Sequence, residues 1–273
     1  MHQANVEGGG RAKKIAVLIH GLSEERSVWS RQARYFRESM DVVTYDVRGF
    51  GSSPVGSGNG TVGQMADDLA QVLSAHGVGR AWLVGFSMGG VIAQRFALDF
   101  PELVEGLVLI ASSCTVGRAG QAFFRERLAT AETGGLAAVS VINAGDARGC
   151  FATDDEALIA EYRRIRVNAV RDVRGYINAG TAMLRLPSEP MVHRLGSISC
   201  PTLVMAGERD SYCPPRASEM IAGAIPGAML EMIPGVGHCF HWEASELVNG
   251  RIRNFIESDH PVREAELQAS HGR

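Results

Sequence analysis

The chain has 273 residues, 45% hydrophobic, 21% charged and 7% aromatic, a composition that excludes disordered, collagenous and fibrous classes and is long enough to bury a full core in one or two domains. Lys and Arg number 27 against 30 Asp and Glu, a formal charge of −3. No basic cluster exceeds Arg11-Ala12-Lys13-Lys14, so neither nucleic acid nor a membrane surface is expected as a partner.

The five cysteines (Cys114, Cys150, Cys200, Cys213, Cys239) are odd in number, scattered and without CxxC spacing. That pattern speaks against a disulfide framework or structural zinc site and fits a reducing compartment. The first residues, MHQANVEGGGRAKK, lack the apolar stretch of a signal peptide. No apolar run reaches the roughly 18 residues of a membrane span. A soluble cytoplasmic protein is the expectation.

In chain order, residues 1–14 read as a polar, Gly-rich, flexible N-terminus. An apolar run at Ile15–Ile19 then ends at His20-Gly21, and further runs lie at 42–45, 81–84, 107–111, 202–206 and 229–233. Short apolar runs bounded by Gly, Asp or Pro read as strands buried on both faces of a parallel sheet. Helical patterns separate them at 62–76, where Met65, Leu69, Val72 and Leu73 form a stripe, and at 89–100, 216–224 and 243–256. The alternation predicts an α/β fold with a mostly parallel central sheet flanked by helices.

One stretch departs from it. Between about 114 and 199 only helical patterns occur, at 121–133, 136–144, 154–170, 173–186 and 189–195. They read as an all-helical cap inserted after the fourth predicted strand, with a core of 15–113 and 200–257. The charged, aperiodic tail at 258–273 reads as flexible.

Gly85-Phe86-Ser87-Met88-Gly89 is a G-x-S-x-G pentapeptide. Alone it is a common pattern; here a predicted strand leads in and a predicted helix leads out, the geometry of a nucleophile elbow. Small flanking residues let strand and helix approach closely around a strained serine. His20-Gly21-Leu22 follows the first strand, where the Leu22 N–H, with the Met88 N–H, forms a two-donor oxyanion hole. In Gly207-Glu208-Arg209-Asp210, Asp210 is placed to orient an imidazole, with Glu208 as the rival carboxylate. His238, in the Gly-rich loop after the last strand, is the base: Nε2 takes the Ser87 proton while Nδ1–H bonds Asp210. His241 is the competing histidine and reads as a residue at a helix start or pocket wall. Ser87, Asp210 and His238 each end a predicted strand, and ligands in open parallel sheets gather at that carboxyl edge.

With the Tyr45-Asp46-Val47-Arg48-Gly49-Phe50-Gly51-Ser52-Ser53 segment, these motifs resemble those of the α/β-hydrolase fold family over roughly 14–256. The resemblance implies a serine nucleophile, an acyl-enzyme resolved by water, no metal and no organic cofactor. It also implies that the D-x-R-G-x-G-x-S loop supports the oxyanion strand and that the helical insert roofs a pocket. Two departures stand out. Family members usually begin with an antiparallel hairpin, for which the 14 residues before the first strand leave little room. Ser23-Glu24-Glu25-Arg26 is unusually charged beside an acyl pocket, and these side chains are expected to face solvent; the alternative is a substrate with a polar group. Trp29, Phe86, Phe123, Phe124, Met183, Leu186 and Cys239 are candidates for the pocket wall or its packing.

The expected activity is hydrolysis of a carboxylic ester or lactone of a small to medium, largely hydrophobic molecule. Cleavage of carbon–carbon bonds in ring-cleavage products and perhydrolysis use the same triad. A ligand sensor with slow hydrolysis is the reading from another class.

Overall fold

The computed structural model describes residues 13–188 and 191–260; most of the expected flexible N-terminus and C-terminal tail lies outside them. Six strands, β1 (Ile15–Ile19), β2 (Asp41–Thr44), β3 (Ala81–Phe86), β4 (Val104–Ile110), β5 (Thr202–Gly207) and β6 (Met229–Ile233), form one sheet in the order β2-β1-β3-β4-β5-β6. Every neighbouring pair is parallel. Parallel strands need long crossovers, and the helices α1 (Ser30–Phe36), α2 (Val62–Ala75), α3 (Met88–Asp99), α7 (Pro215–Ala224) and, after the one-turn α8 (Phe240–Glu243), α9 (Ser245–Glu257) flank the sheet.

Side chains alternate between two faces along each strand, so each central strand feeds two cores. Val17, Ile19, Leu83, Leu107, Leu109 and Val204 pack with Met65 and Leu69 of α2, Val91 and Phe96 of α3 and Ile221 of α7. Their neighbours Ala16, Leu18, Val84, Val108, Ile110, Leu203 and Met205 pack on the opposite face with Phe36 of α1 and Val248, Ile252 and Phe255 of α9. The chain runs from β1 outward to β2 and then returns to β3 on β1's other side. That reversal opens a crevice at the carboxyl ends of β1 and β3, where ligands bind in such sheets.

Between β4 and β5 lie α4 (Arg118–Gly149), α5 (Glu156–Ala169) and α6 (Val173–Arg185). Their inner faces join both cores: Ala131, Val139, Tyr176 and Met183 the first, Ala147, Ile159 and Tyr162 the second. The insert meets the Gly49 loop at backbone distance, since a Cβ on Gly175 of α6 would lie 2.2 Å from the Gly49 carbonyl oxygen. The Gly51 N–H also donates to Ala169 O at 2.8 Å. Among the described residues, no helix is long and apolar enough to cross a membrane.

Several sequence expectations are corrected. The edge strands are not buried on both faces: Met229, Leu230 and Met232 of β6 are exposed, and β2 is only half-buried, because each has a neighbour on one side alone. α1 carried no predicted pattern; within SRQARYF only Gln32, Ala33 and Phe36 are buried, too short a stripe to register. The two patterns at 121–133 and 136–144, by contrast, stand as two helical stretches within α4, which meet at a kink at the non-helical Gly135 (φ 61°, ψ −153°), a positive-φ conformation glycine enters without penalty. The pattern at 189–195 is a 3₁₀ turn over Val192–Ser197, with 189–190 outside the described residues. The start of the tail is ordered: Ser258 Oγ and the His260 ring Nε2–H donate to Phe255 O at 2.8 and 2.6 Å.

Candidate active site

β3 ends at Phe86 and α3 begins at Met88, so Ser87 is the single residue that turns the chain. Its φ of 52° and ψ of −116° lie where a residue with a side chain is strained, at a cost of about 1–3 kcal/mol. Four contacts hold it there: its N–H donates to Ile110 O at 2.9 Å, and its carbonyl accepts from Ser112 Oγ at 2.9 Å and from the N–H groups of Gly90 and Val91 at 3.0 and 3.3 Å. The flanking glycines are steric requirements. A Cβ on Gly89 would lie 2.1 Å from Ile19 O, and one on Gly85 2.4 Å from Gly89 O.

The carboxylate and imidazole come from the loops after β5 and β6, which nearly touch: a Cβ on Gly207 would lie 2.3 Å from Gly237 O. Asp210 Oδ1 accepts the N–H groups of Tyr212 and Cys213 at 2.8 and 2.9 Å, leaving Oδ2 for His238 Nδ1–H at 2.8 Å. The rival Glu208 instead accepts Gly235 N–H at 2.8 Å in an exposed turn. Burial disfavours the His238 imidazolium, but the charge and hydrogen bond of Asp210 more than offset it, with smaller help from Cys150 and Glu24, and its pKa is raised. His241 is of another kind. It stacks on Phe86 with centroids 4.3 Å apart, and burial, then the charge of His238, pushes its pKa down to about 3.

On the β1 side, His20 is fully buried, and burial drives its pKa down to about 4. The neutral ring accepts Val47 N–H at Nε2, 2.8 Å, and donates Nδ1–H to Gly21 O, 2.8 Å. The Leu22 N–H has no partner among the described residues, and Met88 begins α3, where N–H groups lack intrahelical acceptors. Behind this turn Asp46 accepts Arg26 N–H at 2.8 Å and Ser52 N–H and O–H at 3.0 and 2.8 Å. The D-x-R-G-x-G-x-S loop is thereby tied to the segment after β1.

Leu22, Ser87, Met88 and His238 share one cavity of about 630 Å³. Phe86, Phe123, Phe124 and Met183 line it. Trp29, Leu186 and Cys239 do not: they are fully or almost fully buried in the cores, Trp29 against His241 at 5.1 Å and Cys239 with its N–H on Cys150 O at 2.8 Å. Their apolar side chains are spent on packing behind the site. His241 likewise lies behind the wall.

Glu24 corrects a clearer expectation. It has 0% exposure, facing neither solvent nor the cavity, whereas Arg26 of the same segment is exposed. The wall also holds residues the sequence did not offer, among them Asp146, Cys150, Arg166, Tyr176, Tyr212 and Cys213. One signal was present: Ile159, Tyr162, Arg166 and Ala169 are the buried stripe of α5, and an arginine on such a stripe needs a buried partner. Among the described residues, no group of three or more His, Cys, Asp or Glu could hold a metal ion.

A family model described as the alpha/beta hydrolase fold matches residues 16–245. A protein from Caulobacter sp. (strain K31), named "Putative carbamate hydrolase RutD", is 28% identical over 259 residues, covering 93% of this chain and 95% of its own. A thermophilic esterase from Thermogutta terrifontis superposes with a TM-score of 0.79 at 27% identity, covering 90% of each chain. The enol-lactonase from Burkholderia xenovorans LB400, at 24% identity, shares the fold with a TM-score of 0.82 over 92% of this chain and 94% of its own.

Proposed function

The chain belongs to the α/β-hydrolase fold family, and from that membership we propose that it is a serine hydrolase cleaving a carboxylic ester or lactone of a small to medium, largely hydrophobic molecule. The observation that carries the proposal is the strained Ser87 (φ 52°) on one cavity with His238, whose Nδ1 is 2.8 Å from the buried Asp210 Oδ2. Ser87 Oγ attacks the acyl carbon while His238 Nε2 takes its proton, and Asp210 fixes the tautomer and stabilises the imidazolium. The negative oxygen of the tetrahedral intermediate sits between the N–H groups of Leu22 and Met88. His238 then protonates the departing alkoxide, and water, activated by the same imidazole, releases the acid. No cofactor enters these steps.

The size of the cavity, about 630 Å³, and its Phe86, Phe123, Phe124 and Met183 walls support an apolar acyl or alcohol part. The name of the Caulobacter relative favours a second substrate reading on the same residues, a carbamate, whose carbonyl carbon is open to the same attack.

The test is turnover of p-nitrophenyl esters from acetate to dodecanoate, with a p-nitrophenyl N-alkylcarbamate beside them, by wild type and Ser87→Ala. Sustained release from esters that Ser87→Ala lacks is the expected result. Sustained release from the carbamate alone shifts the substrate class. Equal release by Ser87→Ala overturns the nucleophile.

A further inference from the structure

The N–H that the proposed reaction uses at Leu22 belongs to the Gly21–Leu22 peptide, and that peptide and both of its neighbours are each held by a hydrogen bond. Its own carbonyl, Gly21 O, accepts His20 Nδ1–H at 2.8 Å. On the preceding peptide, Gly21 N–H donates to Glu24 Oε2 at 2.7 Å. On the following peptide, Leu22 O accepts Arg166 Nη1–H at 3.3 Å. The second oxygen of Glu24 accepts the Tyr162 hydroxyl proton, and Arg166 Nη1 also reaches Tyr162 Oη at 3.4 Å. Two of these anchors, Tyr162 and Arg166, stand one turn apart on α5 of the helical insert.

A carboxylate with no exposure is costly unless charged and hydrogen-bonded partners meet it; Glu24 is hydrogen-bonded by Gly21 N–H and the Tyr162 hydroxyl and feels the charge of Arg166, yet burial outweighs them and its pKa is raised. An N–H aimed at a developing oxyanion is effective only if its direction is fixed before the reaction, because reorganisation during the step wastes the interaction. A small misplacement at the reacting centre lowers the rate steeply.

We propose that Tyr162 of α5, acting through Glu24, is a positioning residue for the Leu22 oxyanion donor, so that the insert sets the geometry of the chemical step as well as covering the cavity. The proposal rests on the serine-hydrolase reading. Its first consequence is kinetic: loosening the network lowers kcat and spares KM, because neither Tyr162 nor Glu24 lines the cavity. Its second is that affinity for a tetrahedral mimic falls with kcat.

The experiment compares wild type, Ser87→Ala, Tyr162→Phe, Glu24→Gln and Glu24→Ala on one p-nitrophenyl ester. The readouts are kcat, KM, inhibition by an alkyl boronic acid that adds to the serine, and thermal midpoint. Tyr162→Phe is expected to lose about 10-fold in kcat, with KM within about twofold and boronate inhibition weakened by the same factor as kcat. Glu24→Ala loses at least as much, and Tyr162→Phe added to it changes little further, as expected of residues acting in series. Glu24→Gln recovers most of the rate, since its amide oxygen still accepts Gly21 N–H and its NH2 can donate to Tyr162 Oη.

If Tyr162→Phe and Glu24→Ala lower only the thermal midpoint, with kcat and boronate inhibition unchanged, the network is structural and the proposal is overturned. A change confined to KM overturns it as well. Absence of Ser87-dependent turnover in wild type removes the hydrolase reading itself and the proposal with it. Ser87-dependent turnover that is indifferent to Tyr162 and Glu24 removes the proposal alone.

Discussion

At the scale of single residues, the Asp210–His238 pair makes the most direct prediction, in the pH profile. A general base must be neutral, so the proposed mechanism predicts that kcat/KM falls as the pH drops through the pKa of His238 in the free protein. That pKa is raised, burial being more than offset by Asp210, and the midpoint of the acidic limb is expected above the ordinary imidazole value of about 6.5. In Asp210→Asn the opposing effect of burial is left, so the midpoint moves to lower pH while the rate falls by roughly 10⁴-fold. Glu208→Gln, which touches only the exposed Gly235 turn, leaves both the midpoint and the rate close to wild type. Stopped-rate assays across the pH range with the three proteins check all of this. A midpoint that stays put in Asp210→Asn contradicts the assigned pairing.

Among secondary-structure elements, the elbow makes a packing prediction. Gly89→Ala drives a methyl group to 2.1 Å from Ile19 O, so β1 and α3 must separate. The expected cost is at least about 2 kcal/mol by urea denaturation, in the range of core overpacking, with loss of turnover because Ser87 leads directly into α3 and Leu22 lies on the turn that follows β1. Thr61, whose side chain accepts Gln64 N–H at the start of α2, gives a milder contrast: Thr61→Ala costs about 1 kcal/mol and leaves kcat unchanged.

The elements also divide by how legible they were. β1, β3, β4 and β5 are each fully or almost fully buried, and a strand buried on both faces writes a continuous apolar run into the sequence. β6 carries the same kind of run, but its position in the sheet, not its composition, leaves it exposed. Ser87, Asp210 and His238 were readable because each sits within a few residues of a strand end. The link between Glu24 and Tyr162 was not, since it spans 138 residues and depends on how the insert docks.

For the whole molecule, the insert and the sheet are joined by polar and apolar contacts along their length, including Cys239 N–H on Cys150 O at 2.8 Å and Arg166 on Leu22 O at 3.3 Å. They are expected to unfold together. The chain's three tryptophans, Trp29, Trp82 and Trp242, all lie in the core on the α1 and α9 face, so their fluorescence reports the sheet region. Far-ultraviolet circular dichroism reports every helix, those of the insert included. Coincident urea transitions by the two probes are the expected result; helix signal lost ahead of fluorescence shows an insert that melts by itself.

The contact between Gly49 and Gly175 carries that joint into another domain, inheritance. With backbone against backbone at 2.2 Å from the added Cβ to the carbonyl oxygen, neither position has room for even the smallest side chain unless the loop and helix part. The two residues are therefore expected to stay glycine together. A chimera that takes its roof from one relative and its base from another keeps its seat only if both parents bring glycine to the seam.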